Sequence, residues 1–560
     1  MYLIFDTETT GLPRDWNLDY THSDNWPRAV QIAWQLHDDL GNLLEAKDYL
    51  VKPEGFNIPY DAERIHGIST DLAIEAGESL DFVLQAFYEA VNKADFIVGH
   101  NVGFDINIMS AEYYRQNPER PFLLEKTVLD TCTEKTAELC KLPGGRGGRY
   151  KLPTLTELNQ FLFQESFAEA HNATADVEAT TRCFLELVRR EEFSVEELRQ
   201  DNDYFNRYKA NNPVSIRPVG LKHLNLKEAS QLLKKEKGAA ETKAPVEKAD
   251  ITALQNIPFA HLHNHSQFTI LQSTTTIRDL VNLTIQNNLP AVALTDNGNM
   301  MGAFHFEKAI SEYNKKVKAE KAAAEEKGEP YDKQPILPVI GCEFNVCKDH
   351  TDKSQKDNGY QIVLLAKNKT GYQNLIKMAS IAYTQGMYYV PRIDKNVIRQ
   401  YKEEVIVLSG NLYGEIPNLI LNVGEVQAEE ALLWWKEQFG EDFYLEIMRH
   451  GQEDEDRVNE TLIRFSEKHQ VKLVATNNTY YPKESDAVSH DILLCVKENE
   501  LQSTPIGKGR GFRYGFPNDK YYYRTADEMR RLFADLPQAL ESVAEIISKI
   551  EPYQLSRDVL

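Results

Sequence analysis

The chain has 560 residues, too many for one hydrophobic core, so two domains and a connecting segment are the expected organisation. Hydrophobic residues make up 42% and charged residues 26%, which fits a folded globular protein and excludes a disordered or fibrous one. A net charge of −22 opposes the basic face of a free-standing nucleic-acid binder, so any grip on DNA by this chain alone is expected to be weak and salt-sensitive. Tyr2 to Phe5 is a short apolar run of strand formers, and the run closes with Thr-Thr-Gly11. Asp6 and Glu8 lie two residues apart on it. Side chains at i and i+2 of a strand share a face, so both carboxylates project together. Crowded carboxylates repel unless a divalent cation neutralises them, and hard oxygen ligands suit Mg²⁺ or Mn²⁺. The bland reading of this run by itself is an exposed strand end with two solvated acids.

Two later segments add to it. Phe96-Ile-Val-Gly-His-Asn-Val-Gly-Phe-Asp105 reads as a buried strand running into a polar turn, with Asp105 opening an amphipathic helix. His171-Asn-Ala-Thr-Ala-Asp176 enters a helix that runs to about Arg190; Asp176 falls in its first turns, where the helix dipole favours an anion, and His171 lies on the loop before it. Together, in this order, the three fragments resemble the motifs of the DEDD exonuclease superfamily, in the variant with a histidine, over roughly residues 1 to 190. Ile65-His-Gly-Ile68 resembles that family's loop near the terminal nucleotide, and Leu152-Pro-Thr-Leu-Thr-Glu-Leu158 its helix before the third motif.

The resemblance implies a ribonuclease H-like mixed sheet flanked by helices and a site holding two Mg²⁺ or Mn²⁺ ions. Asp6 would bridge the cations, Glu8 and Asp176 would complete the first metal's ligands, Asp105 would position the second, and His171 would accept the proton of the attacking water. Thr9, Ile65, His66, Asn101 and Phe104 are the expected substrate contacts, and the substrate is a single-stranded DNA 3′ end or a frayed primer terminus. The same motifs also serve RNA-trimming 3′→5′ exonucleases, and a mainly scaffolding role in the replisome is a third reading. Gly144-Gly-Arg-Gly-Gly-Arg149 lacks the Gly-Lys-Ser/Thr ending of a nucleotide loop and is read as a loop whose Arg146, Arg149 and Lys151 could touch a DNA backbone.

Residues 191–257 are polar, ending in the charged low-complexity run Leu233-Lys-Lys-Glu-Lys-Gly-Ala-Ala-Glu-Thr-Lys243, and are expected to form a partly flexible linker whose earlier part docks as a helix. The Lys-, Glu- and Ala-rich run 314–333 reads as a solvated helical insertion. No stretch is long and apolar enough to span a bilayer, no signal-peptide pattern opens the chain, and six scattered cysteines show no metal-knuckle or disulfide spacing, so a cytoplasmic protein without a membrane partner is expected.

The second domain, 258–560, opens with Phe259-Ala-His-Leu-His-Asn-His-Ser266, whose alternate histidines are either ligands on one strand face or surface residues of an edge strand. Ala293 to Gly302, Ile340 to Phe344, Tyr388 to Asp394, Phe443 to Gly451 and Val474 to Asn478 resemble the polymerase and histidinol phosphatase (PHP) domain, a distorted seven-stranded β/α barrel. More narrowly, they resemble the version at the front of the bacterial DNA polymerase III alpha subunit. His263, His265, Asp296 and Glu343 match that family's metal ligands, but Gln272, Asn297, Gln361, Asn411, Asn478 and Tyr480 replace the others. Amides keep hydrogen bonding and lose the charge or basicity that holds transition metals, so a structural domain with no metal or only weak metal binding is expected. The chain then reads as the front piece of a replicative polymerase, lacking the palm: a proofreading 3′→5′ exodeoxyribonuclease, with the polymerase core and other replisome components such as the sliding clamp as partners.

Overall fold

A computed structural model describes residues 1–13, 15–118, 123–144, 149–165, 172–220, 225–240, 251–354, 356–507 and 512–555. The chain divides into two compact units, Met1–Thr242 and Lys243–Leu560.

Among the described residues the first unit is built on five strands, β1 (Tyr2–Thr9), β2 (Ala29–His37), β3 (Leu43–Leu50), β4 (Phe96–Gly99) and β5 (Thr127–Asp130), in the order β3-β2-β1-β4-β5. The first three are antiparallel, whereas β4 and β5 run parallel to β1, the mixed sheet expected from the sequence. Alternation along β1 divides the core. Leu3 and Phe5 face one side with Ile32, Trp34 and Ile97, covered by the helices Leu80–Lys93 and Gly103–Gln116. Tyr2 and Ile4 face the other with Ala33, Phe96 and Val98, covered by the helix Ala173–Arg189.

The earlier part of the expected linker packs against this unit. On the helix Tyr204–Asn211, Tyr204 and Tyr208 are buried; the Tyr204 hydroxyl donates to the Asp39 carbonyl at 2.6 Å and lies 3.3 Å from that of Tyr2. Farther along, the helix Leu226–Ala240 places Leu226, Ala229 and Leu233 in a small cluster with Val30, Ile58 and Ile68.

Among the described residues the second unit holds seven strands: β6 (Ala291–Leu294), β7 (Leu337–Cys347), β8 (Tyr360–Ala366), β9 (Arg392–Asp394), β10 (Val405–Leu408), β11 (Phe443–Ile447) and β12 (Lys472–Ala475). They run in the order β12-β11-β10-β8-β7-β6, with β9 beside β7. β8 is antiparallel to both neighbours and breaks an otherwise parallel array. The histidine-bearing segment 261–265 links the two ends of the sheet: His261 pairs with Val292 of β6, and Asn264 pairs with Thr479 beyond β12. Four backbone bonds of 2.9–3.2 Å make the link, among them Thr295 N–H to the Asn264 carbonyl and Thr479 N–H to that of His263. The sheet therefore curls round on itself, and the histidines sit at the closure.

Candidate active site and a second polar cluster

The period of the strand decides what β1 offers on each face. Asp6 and Glu8 follow Tyr2 and Ile4 onto the side covered by the helix Ala173–Arg189, whose first turn carries Asp176. Ligand atoms of Asp6, Glu8 and Asp176 lie within 4.8 Å of one another. Two contacts fix the start of that helix. Asn172 caps it by accepting from Thr174 N–H at 3.1 Å, and the Gln31 side chain, opposite Glu8 in the sheet, accepts from Ala173 N–H at 3.2 Å.

Asp105 reaches β1 by way of Thr7, whose position on the strand alternates with those of Asp6 and Glu8. Its carboxylate accepts from the Thr7 backbone N–H at 3.0 Å and the Thr7 hydroxyl at 2.6 Å, and it is buried in the first turn of the helix Gly103–Gln116. The three motif segments are thus brought together. Burial followed by the charges of Asp105, Asp176 and Glu8 holds the Asp6 carboxyl well above the usual carboxylate range. Burial and then Asp176 and Asp105 lift Glu8 to about 8. Asp105 is raised to about 7, chiefly by burial and against the pull of the Thr7 bonds. A pocket that forces carboxylates to hold protons near neutral pH has too little positive charge among its own side chains. Hard oxygen donors gathered in this way fit Mg²⁺ or Mn²⁺.

His171 lies outside the described residues, as does Arg146. Among the expected substrate contacts, Thr9 is buried and donates to the Gly11 carbonyl at 2.7 Å. Asn101 is exposed with φ +60°, in the turn before the helix Gly103–Gln116. Phe104 packs against Trp16 and Trp26, with ring centroids 5.8 and 6.3 Å away. Ile65 is exposed, whereas His66 is buried, with Nδ1 accepting from Ile68 N–H at 3.0 Å. Arg149 pairs with Glu134, and Lys151 with Glu157 at 2.7 Å, so both loop cations have partners within the protein.

Asp130 escaped the sequence reading. At the end of β5 its carboxylate accepts from the backbone N–H groups of Asn101 at 2.8 Å, Val102 at 3.0 Å and Cys132 at 2.7 Å, and so shapes the turn that delivers Asp105. Glu112, fully buried on the same helix as Asp105, also went unremarked; it binds Arg28 at 2.9 Å and Ala29 N–H at 2.9 Å, tying that helix to the start of β2. No motif marks either acid, because the contacts of Asp130 to Asn101 and Val102 and of Glu112 to Arg28 and Ala29 join distant parts of the chain.

In the second unit, His263, His265 and Glu343 come together fully buried, with ligand atoms within 4.8 Å of one another. Glu343 accepts from both imidazoles, at 3.2 Å from His263 Nε2 and 3.1 Å from His265 Nε2, and from the amide groups of Asn297 at 2.9 Å and Asn411 at 3.1 Å. Asn411 also donates to Gln361 at 3.0 Å, and the Tyr480 ring stacks on His265 at 4.2 Å. Asp296 stands apart, buried and bound by Ser266 and Thr269. On the other side of His263, Nδ1 lies 2.8 Å from Glu446, which also accepts from Thr476 at 2.6 Å and Gly410 N–H at 3.0 Å. Burial alone would lower the His263 pKa, but Glu446 and Glu343 overcome it and hold it up at about 10. Burial likewise opposes ionisation of Glu343, yet the two imidazoles drive its pKa far below the carboxylate range. His263, held in its charged form, therefore sits between the side chains of Glu343 and Glu446.

Residues 3–184 match the family model described as Exonuclease, and residues 261–450 the one described as PHP domain. The DNA polymerase III subunit alpha of Borreliella burgdorferi is 37% identical over 302 residues, 53% of this chain and 24% of that one. That of Thermus aquaticus is 35% identical over 290 residues, 50% of this chain and 21% of that one. The matched segment thus spans about a quarter of the length of these relatives. Among solved structures, Escherichia coli exonuclease I in complex with a dA16 oligonucleotide aligns with a TM-score of 0.27 and 21% identity, over 37% of this chain and 42% of that one. The chain carries a domain of the exonuclease family at residues 3–184 and a domain of the PHP family at residues 261–450.

Proposed function

We propose that the first unit is a divalent-metal-dependent 3′→5′ exonuclease that removes nucleotides from DNA 3′ ends, the proofreading part of a DNA polymerase III alpha subunit. The observation that carries this reading is the meeting of Asp6, Glu8 and Asp176 within 4.8 Å, with the charge of Asp105 adding to the rise of the Asp6 carboxyl. Asp6, Glu8 and Asp176 would hold Mg²⁺ or Mn²⁺, with Asp105 beside them. Bound there, such ions would supply the Lewis acidity that phosphodiester hydrolysis needs. The protein's own part is to hold the acids in register: Thr7 fixes Asp105, Gln31 and Asn172 fix the helix of Asp176, and Asp130 fixes the turn between β4 and Asp105's helix. From its place in the sequence just before the helix Ala173–Arg189, His171 would take the proton of the attacking water. DNA as substrate is supported by the relatives' being DNA polymerase subunits.

In the second unit, the Asn297 and Asn411 amides and the His263 imidazolium already satisfy the Glu343 carboxylate, and this supports a structural PHP domain without phosphoesterase activity. A polymerase core and other replisome components such as the sliding clamp are the proposed partners, and the cytoplasm the proposed compartment. Among the described residues no helix is long and apolar enough to cross a membrane.

The test is degradation of a primer with a mismatched 3′ end in Mg²⁺ or Mn²⁺. The intact chain should shorten it nucleotide by nucleotide, and Asp6→Ala should not. Equal activity in the two, or none in either, removes the nuclease assignment. Parallel assays on single-stranded RNA separate this reading from an RNA-trimming one.

A further inference from the structure

The turn after the helix Tyr60–His66 is held from outside its own neighbourhood by the helix Leu226–Ala240. Ser230, buried on that helix, donates from its hydroxyl to the Gly67 carbonyl at 2.7 Å, and the same oxygen accepts from Ser69 N–H at 3.1 Å. One hydroxyl therefore satisfies two backbone groups on either side of Ile68, more than 160 residues away in the chain. Gly67 permits the approach. With φ +80° it takes a conformation that side-chain-bearing residues avoid, and a Cβ there would lie 2.8 Å from the Lys227 backbone nitrogen. Leu226, Ala229 and Leu233, at i, i+3 and i+7, form a narrow apolar stripe that packs against Val30, Ile58, Ala62, Ile68, Leu72 and Ala73.

Val30 connects this cluster to the candidate site. Its neighbours Ala29 and Gln31 pair with Thr9 and Glu8 across the sheet, where a register shift interrupts β1. The turn thus rests on the same strand end as Glu8, and Ile65 on its helix keeps an exposed apolar side chain (52% accessible). A turn held only by its own backbone would fluctuate, and ordering it on binding would weaken the grip on substrate.

We propose that Ser230, with the docked helix Leu226–Ala240, is a positioning residue for the nuclease reaction: it pre-orders the 65–69 turn so that this turn can meet the terminal nucleotide of a single strand. The inference rests on the nuclease reading above. It gives the segment between the two family domains a part in substrate binding, with no part in the chemistry at the carboxylates.

The experiment uses the full chain. Ser230→Ala, Ser230→Thr and Leu226→Asp are compared with the unaltered protein for hydrolysis of a single-stranded oligodeoxynucleotide, for the Mg²⁺ dependence of the rate, and for amide hydrogen exchange at Ile68 and Ser69. In Ser230→Ala and Leu226→Asp, exchange should quicken and KM should rise by about fivefold or more, the scale set by losing one to two hydrogen bonds. In both, kcat should stay within about twofold and the Mg²⁺ dependence should be unchanged. Ser230→Thr, which keeps the hydroxyl, should restore both readings. Faster exchange with an unchanged KM overturns the proposal, because the turn would then be held without serving substrate. Unchanged exchange overturns it too, since the helix would not be holding the turn. Failure of the nuclease reading is seen separately, as no hydrolysis by the unaltered chain.

Discussion

At the scale of single residues, the carboxylates of the first unit make the protein less stable as they ionise. Glu8 holds its proton up to about pH 8 in the folded state, above its ordinary value of 4.5, so the folded state binds more protons than the unfolded chain between those limits. Linkage then gives the sign: stability of the cation-free unit should fall as pH rises through this window. Melting in the presence of a chelator from pH 5 to 8.5 should show that fall, and Mg²⁺ should raise the melting temperature more at pH 8 than at pH 6. Glu8→Gln should flatten the dependence; a slope unchanged by that substitution would separate the effect from Glu8. His171→Ala should lower kcat by roughly 10²–10⁴-fold, the usual range for loss of a general base, and leave cation binding in place. Calorimetric titration with Mn²⁺ beside the rate assay distinguishes a lost base from a lost metal site. Asp6 and Glu8 could be found from spacing alone, because a strand of period two places i and i+2 together. Thr7 could not, since its value lies in a bond to Asp105, which is 98 residues away.

At the scale of elements, the buried cluster of the second unit works as a clasp between strands. Glu343 lies on β7, Glu446 on β11, Asn411 just beyond β10, and His263 and His265 on the segment that closes the sheet. Removing one charge from such a network leaves its partners buried and unpaired, which typically costs about 3–5 kcal/mol. Glu343→Gln should therefore destabilise the second unit on that scale in urea unfolding while nuclease activity in native buffer persists. A loss below about 1 kcal/mol would mean that the network is not under the electrostatic load described. The substitutions at Asn297, Gln361, Asn411 and Tyr480 could be read in the sequence as losses of ligands. That Asn297 and Asn411 direct their N–H groups at Glu343 is a property of the folded sheet. The helix Leu226–Ala240 shows the same limit: Leu226, Ala229 and Leu233 lead into a charged run, and the cluster around Val30 is what gives them a surface to cover.

At the scale of the whole molecule, two units with separate cores should melt in two transitions. A chelator should lower the transition of the first unit and leave that of the second in place, as ligand binding stabilises only the unit that holds the ligand. Scanning calorimetry with and without Mg²⁺, aided by Asp6→Ala to mark the first transition, checks this; a metal-dependent second transition would contradict the structural reading of the PHP domain. By itself the sequence determined the kinds of residue available and their placement within each element: paired acids on one strand face, an acid in the first turn of each of two helices, and amides where ligands would be needed in the second unit. Only the tertiary structure decided which faces meet: Asp176 over the Asp6 side of β1, Asp105 held through Thr7, Ser230 beneath Gly67, and His263 between two glutamates. The physical reason is that local periodicity sets the direction of a side chain within its own element. Its partner is set by packing and hydrogen bonding between segments far apart in the chain, on which local spacing is silent.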